Sequence, residues 1–174
     1  MFIRAKKIKG KDYAYLVRNK WTRKGARQKV SQYLGRMHSF PVEKEVDFFT
    51  FLAQNPEEYM EKNQFPAILN DLIRWELAKH GFIETDGEWK KGGIAIQVKY
   101  DDIIEKGKSL VLKLNEGFLC GYTLMRLRRY NPAGELEDIG YDLAERFVLA
   151  GIAIPKELFV AVFEKLVKSK GKKI

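Results

Sequence analysis

Charge is divided unevenly along this chain, and the division limits which segments can enter a hydrophobic core. Residues 1–36 hold 12 lysines and arginines against one acid, Asp12, and residues 165–174 hold five lysines and no acid. The stretch between them, residues 37–164, carries 15 basic and 22 acidic side chains within a chain of net charge +9. The division predicts a basic module at 1–36, an acidic α/β body at 37–164 and a basic tail at 165–174.

Two basic ends on an acidic body indicate an electrostatic contact with a polyanion, because protein cations neutralise phosphates and release their counterions. The acidic body would be repelled by the same polyanion. The alternative is that the cations form a solvated face that keeps the protein soluble. We favour the contact with a polyanion, since the cations of the first segment alternate with aromatic residues and do not form a block.

The first segment has the residue pattern of a small antiparallel sheet. Strands are expected over residues 2–9, 12–21 and 26–35. Gly10 and Gly25 lie between them, and glycine is the residue that tight hairpin turns favour. A sheet of three strands is small enough that one face must pack against the body while the other can remain exposed.

Alternation along the strands predicts which side chains share the exposed face. It places Tyr13 and Tyr15 together on the second strand, and Arg27, Lys29 and Tyr33 together on the third. Cations for phosphates beside rings for stacking are how sheets bind single-stranded or looped nucleic acid. The alternative is that the tyrosines pack against the body.

Several short runs in this segment carry a resemblance to a known family. The runs are Phe2-Ile3-Arg4, Lys6 to Val17 with its Tyr-Ala-Tyr-Leu-Val, Lys24 to Val30, and Tyr33-Leu34-Gly35-Arg36. The segment 2–36 resembles the N-terminal module of insertion-sequence transposases, which many short archaeal proteins share. The resemblance implies a nucleic-acid-binding β-module without a nuclease, because the remaining residues are too few for the ribonuclease-H-like core of a transposase. The overall design is similar to small archaeal ribosome-associated factors.

The rest of the chain reads as mainly helical. Helices are expected over residues 41–53, from Asn55-Pro56, and over 66–80, 118–130, 141–150 and 155–168, and short strands over 82–85, 93–100 and 109–114. The predicted fold class is therefore α+β, with a small basic three-stranded antiparallel module joined to a mainly helical body with a short antiparallel sheet. A winged helix is an alternative for the body, although the charges on its would-be recognition helix cancel.

No residue pattern indicates an enzyme. Cys120 lies in an apolar setting that favours an inert thiol, and neither His38 nor His80 has a partner at ligand spacing. Asp101 and Asp102 could bind a cation, but a solvated turn explains them better. We therefore expect no catalytic residue, no metal and no cofactor, and keep as a lesser alternative a nuclease or modification enzyme with dispersed carboxylates.

We expect a non-enzymatic RNA-binding adaptor that associates with the ribosome, contacts ribosomal RNA and ribosomal proteins, and silences translation or bridges subunits. The main alternative is a transposon-derived protein that binds DNA in chromatin or gene control. The predicted binding residues are the cations and tyrosines of the first segment and the lysines of the tail: Arg4, Lys6, Lys7, Lys9, Lys11, Tyr13, Tyr15, Arg18, Lys20, Arg23, Lys24, Arg27, Lys29, Tyr33, Arg36, Lys170, Lys172 and Lys173. A second basic patch is expected at Arg126, Arg128 and Arg129.

The location and the assembly state follow from composition. A single cysteine and the lack of an apolar run of about 20 residues favour the cytoplasm and exclude a membrane-spanning helix. Abundant Lys, Glu and Arg with few Ser and His are typical of a thermophile. Residues 158–166 form a broad apolar face on the last expected helix, which indicates core or, as an alternative, the contact of a homodimer.

Overall fold

The strands of this chain join into one mixed sheet. The computed structural model describes residues 1–23, 25–99 and 101–169, and within them it contains nine strands and six helices. In chain order they are β1 (Phe2–Ile8), β2 (Lys11–Thr22), β3 (Gly25–Ser39), α1 (Phe48–Leu52), α2 (Pro56–Lys62), α3 (Phe65–Lys79), β4 (Ile83–Thr85), β5 (Glu88–Lys91), β6 (Ile94–Val98), β7 (Ile103–Glu105), β8 (Lys108–Leu114), β9 (Gly117–Leu119), α4 (Gly121–Arg128), α5 (Leu136–Ala150) and α6 (Lys156–Ser169).

One parallel pair joins the N-terminal strands to the rest of the sheet. The strand order is β1-β2-β3-β8-β7-β6-β5-β4, and β9 pairs with β8. The end of β3, from Arg36 to Ser39, runs parallel to Leu110–Lys113 of β8, whereas the other pairs are antiparallel. The sheet therefore continues through the point at which the charge pattern divides the chain.

The predicted fold class is wrong in its division into two parts. The three N-terminal strands form at the expected places, but they belong to a sheet of nine strands and are not a separate module on a mainly helical body. Two causes explain the error. Strand β3 extends to Ser39 and pairs with a strand about 70 residues away, and β5, β7 and β9 have only three or four residues, too few for a visible alternation.

Local signals place the main helices close to their predicted positions. Asn55 caps α2 by accepting the backbone N–H groups of Glu57 and Glu58, with Pro56 in the first turn. Helix α3 ends at Gly81, whose φ of 80° is left-handed, and Phe82 N–H then donates to Leu77 O at 3.1 Å. Most of α3 is buried in the core, which excludes it as the recognition helix of a winged helix.

The apolar face predicted for the last helix is buried in the core of this protein. Leu158, Val162 and Leu166 of α6 are buried in the main core, and Phe159 and Phe163 pack against it. Helix α6 runs to Ser169, so the first residues of the predicted tail are helical. A homodimer stays a prediction, without the support that this face would have offered.

A buried carboxylate joins three elements of the body. Glu76 of α3 is fully buried and accepts from Asn115 Nδ2 at 2.8 Å and from the N–H of Ala153 at 2.9 Å. Lys79 Nζ lies 3.3 Å from its oxygens, and His80 Nε2 lies 3.1 Å from Oε1. Burial alone would raise the pKa of Glu76, but these contacts reverse the shift, and the pKa is lowered from its ordinary value.

A second, smaller core holds the N-terminal strands on the body. Ala14, Leu16, Leu34 and Met37 pack with Val111 and Cys120, and with the half-buried Ile3, Phe118 and Tyr122. This packing covers one face of strands β1 to β3. It leaves the opposite face for the site described next.

Candidate nucleic-acid interface

Three tyrosine rings meet on the face of β2 and β3 that the second core does not cover. Tyr15 lies opposite Tyr33 in the β2–β3 register, and Tyr13 lies opposite Arg36. The ring centroids are 5.4 Å apart for Tyr15 and Tyr33, and 6.3 Å apart for Tyr13 and Tyr33. Tyr33 is 54% exposed, and Tyr13 and Tyr15 are half-buried beside it.

Strand β1 adds cations to the same face. Arg4 lies opposite Tyr15, and Lys6 lies opposite Tyr13. Side chains directly opposite in an antiparallel pair lie on one face of the sheet. We call the set Arg4, Lys6, Tyr13, Tyr15, Tyr33 and Arg36 the tyrosine face.

Two β-bulges decide which residues of β3 join the tyrosine face. The register between β2 and β3 shifts at Ala14/Tyr15 and at Leu16/Val17, so that Leu34 and Ser31 have no partner on β2. Each bulge moves the residues beyond it to the other face. The first bulge consequently places Arg36 on the side of Tyr33, and the second places Lys29 and Arg27 on the opposite side.

The prediction that Arg27 and Lys29 share a face with Tyr33 is therefore wrong. They lie opposite Lys20 and Arg18, on the face of the hairpin away from the tyrosines. Gln28 takes their place on the tyrosine side, where Arg4 donates to it. Simple alternation could not reveal this arrangement, because it assumes an unbroken strand.

A shallow pocket adjoins the tyrosines. It has a volume of about 290 Å³ and is lined by Arg4, Lys6, Tyr15, Val17, Gln28 and Val30. The lining combines two valines and a tyrosine ring with two cations and an amide, which are the groups that would contact a base, its phosphate and its edge.

The cations of this region have no protein counter-charges. Among the described residues of 1–36, no lysine or arginine forms an ion pair, although ion pairs are frequent in the body. Partial burial and the neighbouring Tyr13 and Tyr15 raise the pKa of Tyr33, so its ring stays neutral at physiological pH. The tyrosine face therefore carries uncompensated positive charge beside the ring of Tyr33.

The hairpin of β2 and β3 continues past the rest of the sheet as an arm of residues 18–30. Its described residues are exposed except for the half-buried Gly25. Trp21, near the tip, is 82% exposed. The prediction of binding residues missed Trp21, although a tryptophan among cations beside a turn is a signal that the sequence does contain.

The remaining predicted binding residues divide into three groups. Lys7, Lys9 and Lys11 lie at or near the exposed β1–β2 turn, and Arg23 lies in the turn of the arm. Lys11 is two residues before Tyr13 on β2 and shares its side of the sheet, whereas Lys7 lies opposite Asp12 on the other side. The third group, Lys24, Lys170, Lys172 and Lys173, falls outside the described residues.

Each arginine of the predicted second basic patch has a partner within the protein. Arg128 donates to Lys99 O at 2.7 Å and to Asn70 Oδ1 at 2.8 Å, which fixes it against the body. Arg126 lies over the ring of Tyr122, with its guanidinium carbon 5.9 Å from the ring centroid. Arg129 lies 4.0 Å from a carboxylate oxygen of Asp101.

Cys120 and Asp102, which the sequence offered as candidates for catalysis or metal binding, are occupied in packing and hydrogen bonds within the fold. Cys120 is fully buried, and burial raises the pKa of its thiol. Asp102 accepts from Ile103 N–H at 2.8 Å and from Ser109 Oγ at 2.5 Å. Within the described residues, no three His, Cys, Asp or Glu side chains are grouped to hold a metal ion, and no helix has the length and apolar character to cross a bilayer.

Comparison of the chain with models of protein families, with curated sequences and with solved structures finds no match in any of the three. Function must therefore be inferred from the residues and their geometry.

Proposed function

We propose that this protein is a non-enzymatic cytoplasmic adaptor that binds unpaired RNA on its tyrosine face, with ribosomal RNA as its physiological ligand. One observation carries the proposal: the rings of Tyr13 and Tyr15 each lie against the ring of Tyr33, on a sheet face that also carries cations and no acid.

The rings favour unpaired bases over a double helix. A base must be splayed out of its stack before its flat face can contact an aromatic side chain, and single-stranded loops and bulges offer such bases. Each stacked base contributes on the order of 1–3 kcal/mol. In a duplex the bases are stacked on one another, so the rings have nothing to contact.

The cations of the tyrosine face favour a nucleic acid over another flat ligand. Arg4, Lys6 and Arg36 border the three rings, at the positions where the phosphates of a strand laid across the sheet would lie. The charge division supports ribosomal RNA within this class. A basic face on an acidic body suits a partner with dense phosphates beside basic proteins, which the body can contact.

A matched pair of tyrosine substitutions tests the stacking. Tyr33→Ala removes a ring of the tyrosine face, and Tyr141→Ala removes one that is 70% exposed on α5. We expect Tyr33→Ala to raise the Kd for a 12-nucleotide unpaired RNA by roughly 5- to 150-fold, which corresponds to about 1–3 kcal/mol. Tyr141→Ala should leave it unchanged, and thermal melting should show both variants folded.

The contrary results are specific. If Tyr33→Ala binds unpaired RNA as the parent does, the tyrosine face is not the binding site. If it weakens binding to duplex DNA and unpaired RNA equally, stacking is not the mode of contact. Sucrose-gradient sedimentation of native lysate tests the choice of ribosomal RNA, because a protein that travels free of ribosomal particles at low salt is not bound to them.

A further inference from the structure

The arm has only two strands and is open on both sides. Strand β1 pairs with β2 no further than Phe2 and Val17, and β8 pairs with β3 only from Arg36 onward. At about 3.4 Å per residue, the five residues that follow Val17, up to Thr22, extend the arm roughly 17 Å beyond the end of its pairing with β1.

One face of the arm carries four cations in two adjacent pairs. Arg18 lies directly opposite Lys29, and Lys20 lies directly opposite Arg27. We call these four residues the cation face. They lie on the side of the hairpin away from the tyrosines. Arg18 and Lys20 do so by alternation with Tyr15 along β2, and the bulge at Leu16/Val17 brings Lys29 and Arg27 to the same side.

The cation face works against the stability of the arm. Like charges directly opposite on neighbouring strands are destabilising, and a two-stranded ribbon is marginally stable by itself. No acid occurs between Asp12 and Glu43, so this part of the chain supplies no counter-charge of its own. The arrangement becomes favourable when an external polyanion neutralises the four cations.

The density of the cations favours a double helix as that polyanion. Two successive cross-strand pairs on one face span about 7 Å along the ribbon. A duplex presents one negative charge for each ~1.7 Å of its axis, about twice the density of one strand. Lysine and arginine side chains also suit double-stranded RNA, which proteins contact largely through its phosphates and 2′-hydroxyls.

We infer that the cation face binds the phosphates of an RNA duplex, so that the ligand is an unpaired RNA segment adjoining a helix, such as a stem–loop. The inference rests on the proposed function, which assigns the unpaired segment to the tyrosine face. A single strand laid across the tyrosines contacts one side of the hairpin, and the cation face needs a second segment on the other side. A loop and its stem supply both.

The test uses three RNAs and two charge-matched double variants. The RNAs are a 12-nucleotide unpaired strand, a blunt duplex, and a stem–loop that joins the two. The arm variant is Lys20→Gln with Arg27→Gln. The control, Lys44→Gln with Lys156→Gln, removes two exposed lysines of the body that have no ion pair among the described residues.

We expect the arm variant to bind the duplex and the stem–loop roughly tenfold more weakly and to lower the slope of log K against log[salt] by about two. Its affinity for the unpaired strand should stay within about twofold of the parent, and the control should match the parent on all three RNAs. The arm variant should melt no lower than the parent, because it relieves like-charge repulsion.

Other outcomes separate this inference from the proposed function. Equal losses on unpaired and duplex RNA would mean that the two faces serve one strand, and unchanged binding to the duplex would mean that the cation face contacts no phosphate. Either result overturns the inference and leaves the tyrosine face as proposed. A blunt DNA duplex of the same length is measured beside the three RNAs. If the arm variant loses more affinity for this DNA than for duplex RNA, the inference is also overturned, since a two-stranded ribbon fits the major groove of B-form DNA.

Discussion

Replacing Glu76 by glutamine should destabilise the protein strongly although the two side chains have nearly the same shape. The carboxylate is fully buried, and its two oxygens contact Asn115 Nδ2, the N–H of Ala153, Lys79 Nζ and His80 Nε2. The amide of glutamine has one acceptor oxygen and one NH₂ group. Whichever way it turns, the NH₂ group faces another donor.

The size of the effect follows from burial. The Lys79 side chain is 7% exposed and loses the only acidic partner that it has among the described residues. Breaking a buried ion pair by removing one partner costs about 3–5 kcal/mol, because the other charge is left uncompensated. A domain of this size loses roughly 2–4 °C of Tm for each kcal/mol, so the fall should be about 10 °C.

The assay is thermal or urea unfolding of parent and variant between pH 3 and pH 7. The pKa of Glu76 is lowered in the folded state. Its contribution is therefore fully present above the unfolded pKa of about 4.3, and is lost as the pH falls through the folded value. The difference between parent and variant should be largest near neutral pH and should shrink in acid.

A surface carboxylate provides the control. Glu84 pairs with Arg74 at 2.9 Å, but its side chain is 39% exposed, so Glu84→Gln should cost less than about 1 kcal/mol. If Glu76→Gln were no more destabilising than Glu84→Gln, or if its effect were the same at pH 3 and pH 7, our view of the buried carboxylate as an ionised anchor would be refuted.

Two further predictions concern the junction between the N-terminal strands and the body. Gly35→Ala should destabilise the protein by more than about 2 kcal/mol in urea unfolding, because a Cβ there would lie 2.5 Å from Ser109 O at a φ of 141°. The control Gly10→Ala lies in open space at a φ of 77° and should cost only the backbone strain of about 1–2 kcal/mol. Similar losses for the two variants would contradict the close packing of β3 on β8. Cys120 should react with a thiol reagent at pH 8 only after denaturation, since it is fully buried with a raised pKa, and fast labelling of the native protein would mean that the second core opens readily.

Local sequence patterns were sufficient to predict the strands and helix ends that depend on interactions between residues close together in the chain. The three N-terminal strands, the cap at Asn55 and the end of α3 at Gly81 depend on alternation, capping and positive φ, all of which involve residues near one another in the chain. The concentration of cations in the first 36 residues is likewise a property of the sequence alone.

Other features required the tertiary structure because they depend on residues distant in the chain. The parallel pairing of β3 with β8 brings together strands about 70 residues apart, and no local pattern reports it. No local pattern shows that Glu76 is buried, because its partners Asn115 and Ala153 lie 39 and 77 residues away in the chain.

The candidate site also has one part that the sequence predicts and one part that depends on the tertiary structure. The sequence alone determined that tyrosines and cations alternate on two neighbouring strands, which is enough to predict a binding surface. Which cations accompany the rings was decided by two bulges that set the register between those strands. A bulge forms where packing favours it, here where Leu34 enters the second core, and one extra residue moves every side chain beyond it to the other face. Arg27 and Lys29 therefore lie opposite Lys20 and Arg18, because register is a property of two strands together and alternation describes only one.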